Sequence, residues 1–271
     1  MAPIWPETSR PSGTLLELLT LEELDRDLYR ATTVFDEPHP IYGGQVAAQA
    51  LLAAGGTVPS DRAPHSLHGY FLRGGDTRRD TIFRVDRDRD GRSFSARRVV
   101  AVQNGEVILN MSVSFHIQEK GLDLPVDAIP ELEAPETLER GRIPRLASFE
   151  GAVPTQDHDG LEIPTRFWAR CTERLPDDPL MHAAVLTYVS DTSSGLAGFH
   201  QDGWWTSSSL DHSMWFHRHI RLDDWVLVDL APRTVSGGRG LYTGSMYSRE
   251  GVLGASLTQE ALFRKVGPPG I

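Results

Sequence analysis

The chain has 271 residues, of which 27 are Lys or Arg and 37 are Asp or Glu, so its formal net charge is −10. Polyanions are poor partners for such a surface, and we do not expect it to bind nucleic acid. Hydrophobic residues make up 39% of the chain and charged residues 24%, which is ordinary for a chain that folds around a buried core.

The cysteine content and the hydropathy of the sequence indicate where the protein is found. Cys171 is its only cysteine, which excludes an internal disulfide and a cysteine-based metal site and indicates a reducing compartment. The longest uncharged stretch, residues 41–60, is too polar and glycine-rich for a membrane span. Residues 1–11 lack the basic start and apolar core of a signal peptide. We therefore expect a cytoplasmic protein that does not insert stably into a membrane.

The first half of the chain begins with a helical pattern. Leucines recur every three or four residues over 15–30, and Thr20 with Glu23 fits a capping box, which predicts short amphipathic helices. Gly43-Gly44-Gln45 then opens a run to residue 54 that is apolar nearly all round, which predicts a buried helix.

Strand-like patterns follow this helix. The Asn104-Gly105 pair between the last two of them is a strong signal for a type I′ hairpin. The predicted strands cover residues 68–72, 81–86, 93–103 and 107–117.

The second half repeats this order after a segment rich in Pro and Glu. Residues 119–150 have no clear periodicity and are interpreted as a linker. A helical pattern over 179–188 comes next. Strand-like patterns then cover residues 207–217, 225–230, 240–247 and 252–263.

Sequence similarity between the halves supports a tandem duplication. Residues 68–73 resemble residues 212–218, and corresponding landmarks lie about half a chain apart, far beyond the period of a solenoid repeat. We therefore predict two αβ units, at 1–118 and 151–271, joined by the linker at 119–150. Pairing of their sheets edge to edge would hide two exposed strand edges.

Several segments match a known binding motif only in part. Residues 86–91 match the first half of a calcium loop, but Arg97 stands where the loop requires Glu. The glycines of 237–244 have the wrong spacing for a dinucleotide site. In a strand, His212 points to the opposite face from His217 and His219, which argues against a histidine metal site. His65 and His68 also fall on opposite faces, which favours a structural role for each. No phosphate-binding loop, nucleophile elbow or metalloprotease motif is present.

Three polar residues stand in apolar surroundings: Asp191 at a helix end, Ser209 at the start of an aromatic strand, and Gln259 in the last strand. From composition alone the ordinary interpretation prevails, since Asp commonly caps helices and Ser or Gln in a strand is commonly solvated.

Longer motifs point beyond composition to a known family. The segments that carry the resemblance are 41–49 (IYGGQVAAQ), 71–76 (FLRGGD), 90–98 (DGRSFSARR), 210–217 (LDHSMWFH) and 250–253 (EGVL), the last followed by Gln259-Glu260. Together they resemble the acyl-CoA thioesterase II (TesB-like) family, in the family's order, over about residues 15–265.

The resemblance implies an α+β double hotdog fold, in which two long helices are each wrapped by an antiparallel sheet and the sheets join. It implies hydrolysis of fatty acyl-CoA, of medium to long chain, without a metal or cofactor, coenzyme A being part of the substrate. The family uses an Asp, a Thr or Ser, and a Gln around one water, which correspond to Asp191, Ser209 and Gln259. It also implies a homo-oligomer.

An oxyanion would form during such a hydrolysis. Backbone amides at a helix N-terminus beside Gly43 and Gly44 are our candidates for its donors, and Gly43, Gly44 and Gln45 are our candidate substrate-binding residues. The chain departs from the family pattern at 192–195, where bulkier apolar residues are usual, and it has Ser209 in place of Thr.

Two other functions stay open at this stage. A catalytically weak or inactive acyl-CoA binding protein could have kept the fold while the changed segment 192–195 removed productive geometry. Hydration of an enoyl thioester would need an Asp–His pair, for which Asp36 and His39 are candidates, although Pro38 and Pro40 favour an extended chain around His39.

Overall fold

The computed structural model describes residues 13–34, 40–124, 129–155, 164–192, 194–200 and 202–265. Within these ranges there are three α-helices, and fourteen β-strands form one sheet. The helices are α1 (Leu15–Leu19), α2 (Gly43–Gly55) and α3 (Pro179–Ser190). The strands are β1 (Glu22–Asp25), β2 (Leu28–Ala31), β3 (Arg62–Phe71), β4 (Thr81–Asp90), β5 (Phe94–Gln103), β6 (Glu106–Ile117), β7 (Arg140–Arg142), β8 (Phe149–Ala152), β9 (Arg166–Cys171), β10 (Trp204–Ser209), β11 (Asp211–Phe216), β12 (Val226–Ser236), β13 (Arg239–Ser248) and β14 (Leu253–Lys265).

The two long helices lack a polar face because both are buried. Helix α2 packs against strands of the first half and against α3, so side chains around its whole circumference meet apolar neighbours. Helix α3 starts at Pro179, whose missing N–H costs nothing in a first turn, and Asp178 caps it by accepting the N–H of Leu180. In the described residues, no helix has the length and hydropathy that a membrane span requires.

The sheet is continuous across both halves. Strands of the first half lie in the order β1-β2-β4-β5-β6-β3, and those of the second continue as β11-β14-β13-β12-β9-β8-β7, with β10 also on β14. The antiparallel pair β3–β11, in which Leu67 lies opposite Met214, joins them. Each half therefore contributes a buried helix and an antiparallel meander, in mirrored order about the joint. The predicted α+β double hotdog fold is confirmed.

The N-terminus of α2 lies directly against the C-terminus of α3. A β-carbon built on Gly44 would lie 2.4 Å from the Tyr188 carbonyl oxygen, so only a glycine fits there. The Tyr42 hydroxyl donates to the same carbonyl oxygen over 2.8 Å and thereby satisfies an end carbonyl of α3. This close approach places the ends of both helices at one point.

Two local predictions, from leucine spacing and from alternation, were right only in part. The capping box is Thr14 with Glu17, and helix α1 ends at Leu19, after which residues 22–31 form the hairpin of β1 and β2. Pairing of β2 with β4 outweighs the helical spacing of the leucines. The strand predicted over 207–217 is two strands, because the chain shifts register near Ser209.

The segment interpreted as a linker contains regular structure. Strand β7 lies within it and pairs with β8, and the side chains of Ile143 and Leu146 are buried. Strand β9 was also missed. Strand β7, at the sheet edge, has three residues, too few for a visible alternation of apolar and polar positions. Strand β9 is paired on both sides, by β8 and β12, and its mostly buried residues show no alternation. The unit boundaries at 118 and 150 stay a prediction.

Turn signals were more reliable. Asn104 and Gly105 both have positive φ, 50° and 79°, at the β5–β6 hairpin, as a type I′ turn requires. Gly237 and Gly238 form a similar turn between β12 and β13, which agrees with the rejection of a dinucleotide loop. Asp90 ends β4 and pairs with the buried Arg97 guanidinium at 2.8 Å, as a charged strand end.

The substitution Gly44→Ala should destabilise the fold. Its methyl group would overlap the Tyr188 carbonyl and the Tyr42 ring, and overpacking of this kind costs about 1–3 kcal/mol. We expect a lower urea midpoint with an unchanged slope. The matched control is Gly121→Ala, since nothing lies within 4 Å of a β-carbon there. Equal midpoints for the two variants would show that the helix ends are not tightly packed.

Cys171 should be unreactive in the folded protein. It is 2% exposed, and burial raises the pKa of its thiol to about 12, so almost no thiolate is present near neutral pH. We expect a thiol-specific disulfide reagent to label the native protein extremely slowly and to titrate one thiol per chain after unfolding in urea. Rapid native labelling would contradict this burial.

Candidate functional site

Three elements from the second half bring Asp191, Ser209 and Gln259 together. Asp191 is the residue directly after α3, Ser209 ends β10 at the register shift, and Gln259 lies in the middle of β14. Asp191 and Gln259 are buried, with exposed fractions of 4% and 0%. Register shifts often re-aim a side chain, and here Ser209 turns toward the helix end.

The three side chains form a closed hydrogen-bonded set. The Ser209 hydroxyl donates to Asp191 Oδ1 at 2.9 Å. The Gln259 amide nitrogen donates to the same oxygen at 2.6 Å and to Ser209 Oγ at 2.5 Å. A buried carboxylate needs such donors, because its charge has lost the solvation of bulk water.

The two helix ends act on the Asp191 carboxylate with opposite signs. As the C-cap of α3 it sits at the negative end of that helix dipole, whereas the N-terminus of α2 presents a positive end. A β-carbon on Gly43 would lie 2.5 Å from Asp191 Oδ2, so the main chain of α2 passes directly beside the carboxylate. Gly43, one of the candidate substrate-binding residues, therefore lies beside Asp191 in the structure.

A buried histidine extends the set, and sequence reasoning did not identify it. His212 Nδ1 lies 2.5 Å from Gln259 Oε1, and His212 Nε2 lies 2.7 Å from Ser190 Oγ. Burial lowers the pKa of His212, so the imidazole is neutral near pH 7. The sequence signal that could have identified His212 is the alternation of inward and outward side chains along β11, which places His212 and Met214 on the buried face.

A cavity of about 610 Å3 opens beside Asp191. Gly43 and Phe71 from the first half lie in its wall together with residues of the second half, so the site needs both units. Its apolar and polar lining is mixed, as is typical of small-molecule sites. Lining residues include Ile41, Tyr42, Gly43, Phe71, Arg73, Arg145, Leu146, Phe167, Asp191, Thr192, His200, Trp205, Ser209 and Leu262.

Tyrosines hold one wall of this cavity. The Tyr188 hydroxyl accepts the Ala147 N–H and donates to the Arg145 carbonyl, and the Arg145 guanidinium lies 5.6 Å from the centre of the Tyr42 ring. Burial and the nearby Asp191 charge raise the pKa of Tyr42 well above its ordinary value, so its hydroxyl stays a donor. The wall is therefore built by uncharged side chains and one arginine.

Other predicted residues lie apart from this set. Gln45 does not line the cavity, and its N–H donates to the Tyr42 carbonyl at 3.1 Å. Asp36 and His39 lie outside the described residues. Thr192 lines the cavity, and Gly195 is packed so closely on Tyr242 that a β-carbon would lie 2.3 Å from its ring. Among the described residues, no group of three or more His, Cys, Asp or Glu side chains could hold a metal ion.

Comparison with known proteins yields two family matches. Residues 35–116 match the model of the acyl-CoA thioesterase N-terminal domain, and residues 126–263 match that of the acyl-CoA thioesterase C-terminal domain. Each model covers one half of the chain, in agreement with the duplicated fold.

Similar proteins cover nearly the whole chain. Acyl-CoA thioesterase 2 of Haemophilus influenzae is 33% identical, over 93% of this chain and 97% of its own. Acyl-coenzyme A thioesterase 8 of Mus musculus is 34% identical, over 93% and 89%. The crystal structure of acyl-CoA thioesterase II TesB2 from Mycobacterium marinum is 37% identical and superimposes with a TM-score of 0.77, covering 94% of this chain and 98% of that one. The chain therefore belongs to the acyl-CoA thioesterase II (TesB-like) family.

Proposed function

We propose that the protein hydrolyses the thioester bond of fatty acyl-CoA, releasing a free fatty acid and coenzyme A, with Asp191 as general base for an attacking water. The observation that carries the proposal is the buried Asp191 carboxylate, hydrogen-bonded to Ser209 and Gln259 in the wall of a cavity. The names of the relatives, which are acyl-CoA thioesterases, support the substrate class.

The chemistry fits these residue types. Asp191 accepts a proton as the water oxygen bonds to the thioester carbon, and collapse of the tetrahedral intermediate breaks the carbon–sulfur bond. Both amide hydrogens of Gln259 are directed to Asp191 and Ser209, so Gln259 orients these two groups. For Gln259 to donate to the attacking water as well, one of these two hydrogen bonds must be exchanged for a bond to the water.

The oxyanion of that intermediate needs donors. First-turn N–H groups of a helix have no acceptor within the helix, and the helix dipole favours a negative charge there. The N–H of Gln45 already donates to Tyr42, which leaves the amides of Gly43 and Gly44 as our candidates. Their position beside Asp191 supports this role.

The cavity is suited to an amphipathic ligand. Its volume of about 610 Å3 lies within the range of small-molecule pockets, and Phe71, Phe167 and Leu262 give it apolar surface for an acyl chain of medium to long length. Arg73 and Arg145 also line it and are our candidates for contacts with the phosphates of coenzyme A. Three further expectations stay predictions: that the reaction needs no metal or cofactor, that the protein is a homo-oligomer, and that it is cytoplasmic.

The binding-protein alternative has less support. It requires that the changed segment 192–195 disturb the site, yet Asp191, immediately before it, keeps hydrogen bonds to Ser209 and Gln259. Enoyl hydration has no support in the described residues, because its candidate pair lies outside them.

Removal of the base should lower turnover strongly. Asp191→Asn keeps the size of the side chain but cannot accept the proton, and general bases contribute about 100- to 10,000-fold to rate. We expect kcat to fall at least about 100-fold, with acyl-CoA binding retained. The measurement is free-thiol release from acyl-CoA of increasing chain length, in parallel with binding measured by calorimetry.

The control for this variant lies at the other end of the same helix. Asp178→Asn keeps a good N-cap for α3, so its activity should equal that of the unmodified protein. Hydrolysis by Asp191→Asn at the control's rate would refute the assignment of the base. Binding without thiol release by the unmodified protein, at every chain length, would favour the binding-protein alternative.

Gly43→Ala should impair catalysis by crowding the carboxylate. The added methyl group would lie 2.5 Å from Asp191 Oδ2 and 2.9 Å from Phe71 Cε1, so the side chains must move. A displacement of about 1 Å at an active site can cost about 100-fold in rate. Gly198→Ala is the control, because a β-carbon there meets nothing within 4 Å. Full activity of Gly43→Ala would show that the reaction does not require a glycine at position 43.

A further inference from the structure

The orientation of the Gln259 amide is decided by its neighbours. Asp191 Oδ1, at 2.6 Å, accepts hydrogen bonds only, so the amide nitrogen of Gln259 must face it. The amide oxygen of Gln259 then faces His212 Nδ1, at 2.5 Å. In the reversed orientation the amide oxygen would lie against the carboxylate, and the bond to Asp191 would become a repulsion.

His212 can stabilise this orientation only in one tautomer. Because Gln259 Oε1 is an acceptor, His212 Nδ1 must carry the hydrogen, and in a neutral imidazole Nε2 is then an acceptor. A donor stands at that position: Ser190 Oγ lies 2.7 Å from Nε2. Ser190 Oγ also lies 2.9 Å from the Thr187 carbonyl oxygen and 3.1 Å from Met214 Sδ, and its single hydrogen serves one of these acceptors at a time. Donation to His212 Nε2 gives both nitrogens of the buried imidazole a hydrogen-bond partner.

The alternative tautomer is disfavoured at the contact between His212 and Gln259. With the hydrogen on Nε2, His212 Nδ1 and Gln259 Oε1 would be two acceptors in close contact. These three hydrogen-bonded side chains are buried: His212 is 1% exposed, and Ser190 and Gln259 are 0% exposed. Water therefore cannot supply a hydrogen bond where two acceptors face each other. The hydrogen bonds therefore run in one direction, from Ser190 to His212, Gln259 and Asp191.

We propose that His212 is a positioning residue, which together with Ser190 holds the Gln259 amide in the one orientation that presents its hydrogens to Asp191 and Ser209. The proposal rests on the proposed hydrolysis, in which those hydrogens orient the base. His212 is 1% exposed and is not among the residues that line the cavity, so it acts through Gln259. Its loss should therefore lower kcat and leave KM nearly unchanged.

Two amide variants separate this role from simple packing. Asn places its amide nitrogen where His212 has Nδ1 and can still donate to Gln259, whereas the longer Gln places its amide near the Nε2 position. We expect His212→Gln to lower kcat by about 10- to 100-fold, the usual cost of losing an outer partner of a site residue. His212→Asn should recover most of that loss. His217→Asn, at an exposed histidine bonded to Ser256, is the control.

A double-variant comparison tests whether His212 acts through Gln259. In a Gln259→Ala background there is no amide to orient, so adding His212→Gln should change kcat less than twofold. A full additional 10-fold loss in that background, or equal kcat for His212→Gln and His212→Asn, would overturn the proposal. Urea midpoints of all variants show whether a loss of stability accounts for the rates.

A spectroscopic measurement makes the test independent of turnover. The nitrogen NMR pattern of the imidazole side chains, with His212 assigned by its disappearance in His212→Asn, should show the neutral tautomer with hydrogen on Nδ1. The Nε2–H tautomer would overturn the positioning role even if the protein hydrolyses acyl-CoA. The Nδ1–H tautomer without any thiol release would instead remove the proposed function and leave the orientation of Gln259 established.

Discussion

A buried carboxylate is the constraint on which this site depends. A buried carboxylate needs donors in place of the water that it has lost, and Asp191 receives them from Ser209 and Gln259 on two strands. These bonds tie the end of α3 to β10 and β14. The same donors that make the charge tolerable also aim it into the cavity, so the stability of the fold and the geometry of the site share one set of contacts.

The contact between the two halves brings the N-terminus of α2 to Asp191. Gly43 and Gly44 allow the positive end of α2 to reach Asp191 and the Tyr188 carbonyl, an approach that any side chain would block. Neither half alone would hold a carboxylate next to a helix N-terminus. The two halves thus contribute different parts of the site: the second half supplies the Asp191 carboxylate, and the first supplies main-chain amides and part of the cavity wall.

Sequence reasoning recovered the helices, most long strands and the principal turns. Their signals are local: an apolar run, an alternation, or an Asn-Gly pair. It failed at β1 and β2, where leucines at helical spacing form a hairpin, and at β7 and β9, where pairing partners decide the structure. It also rated Asp191, Ser209 and Gln259 as ordinary until the family resemblance singled them out.

The sequence by itself determined the duplicated plan, the buried character of α2, the position of α3, and the residue types available for chemistry. Only the tertiary structure decided which polar side chains meet, because residues 191, 209 and 259 lie on different elements and their distances depend on the register of β14. It alone placed the two ring nitrogens of His212 between Ser190 and Gln259, because from the sequence an inward histidine looks like any other core residue. A hydrogen bond is short-ranged and directional, and no pattern along the chain encodes that geometry.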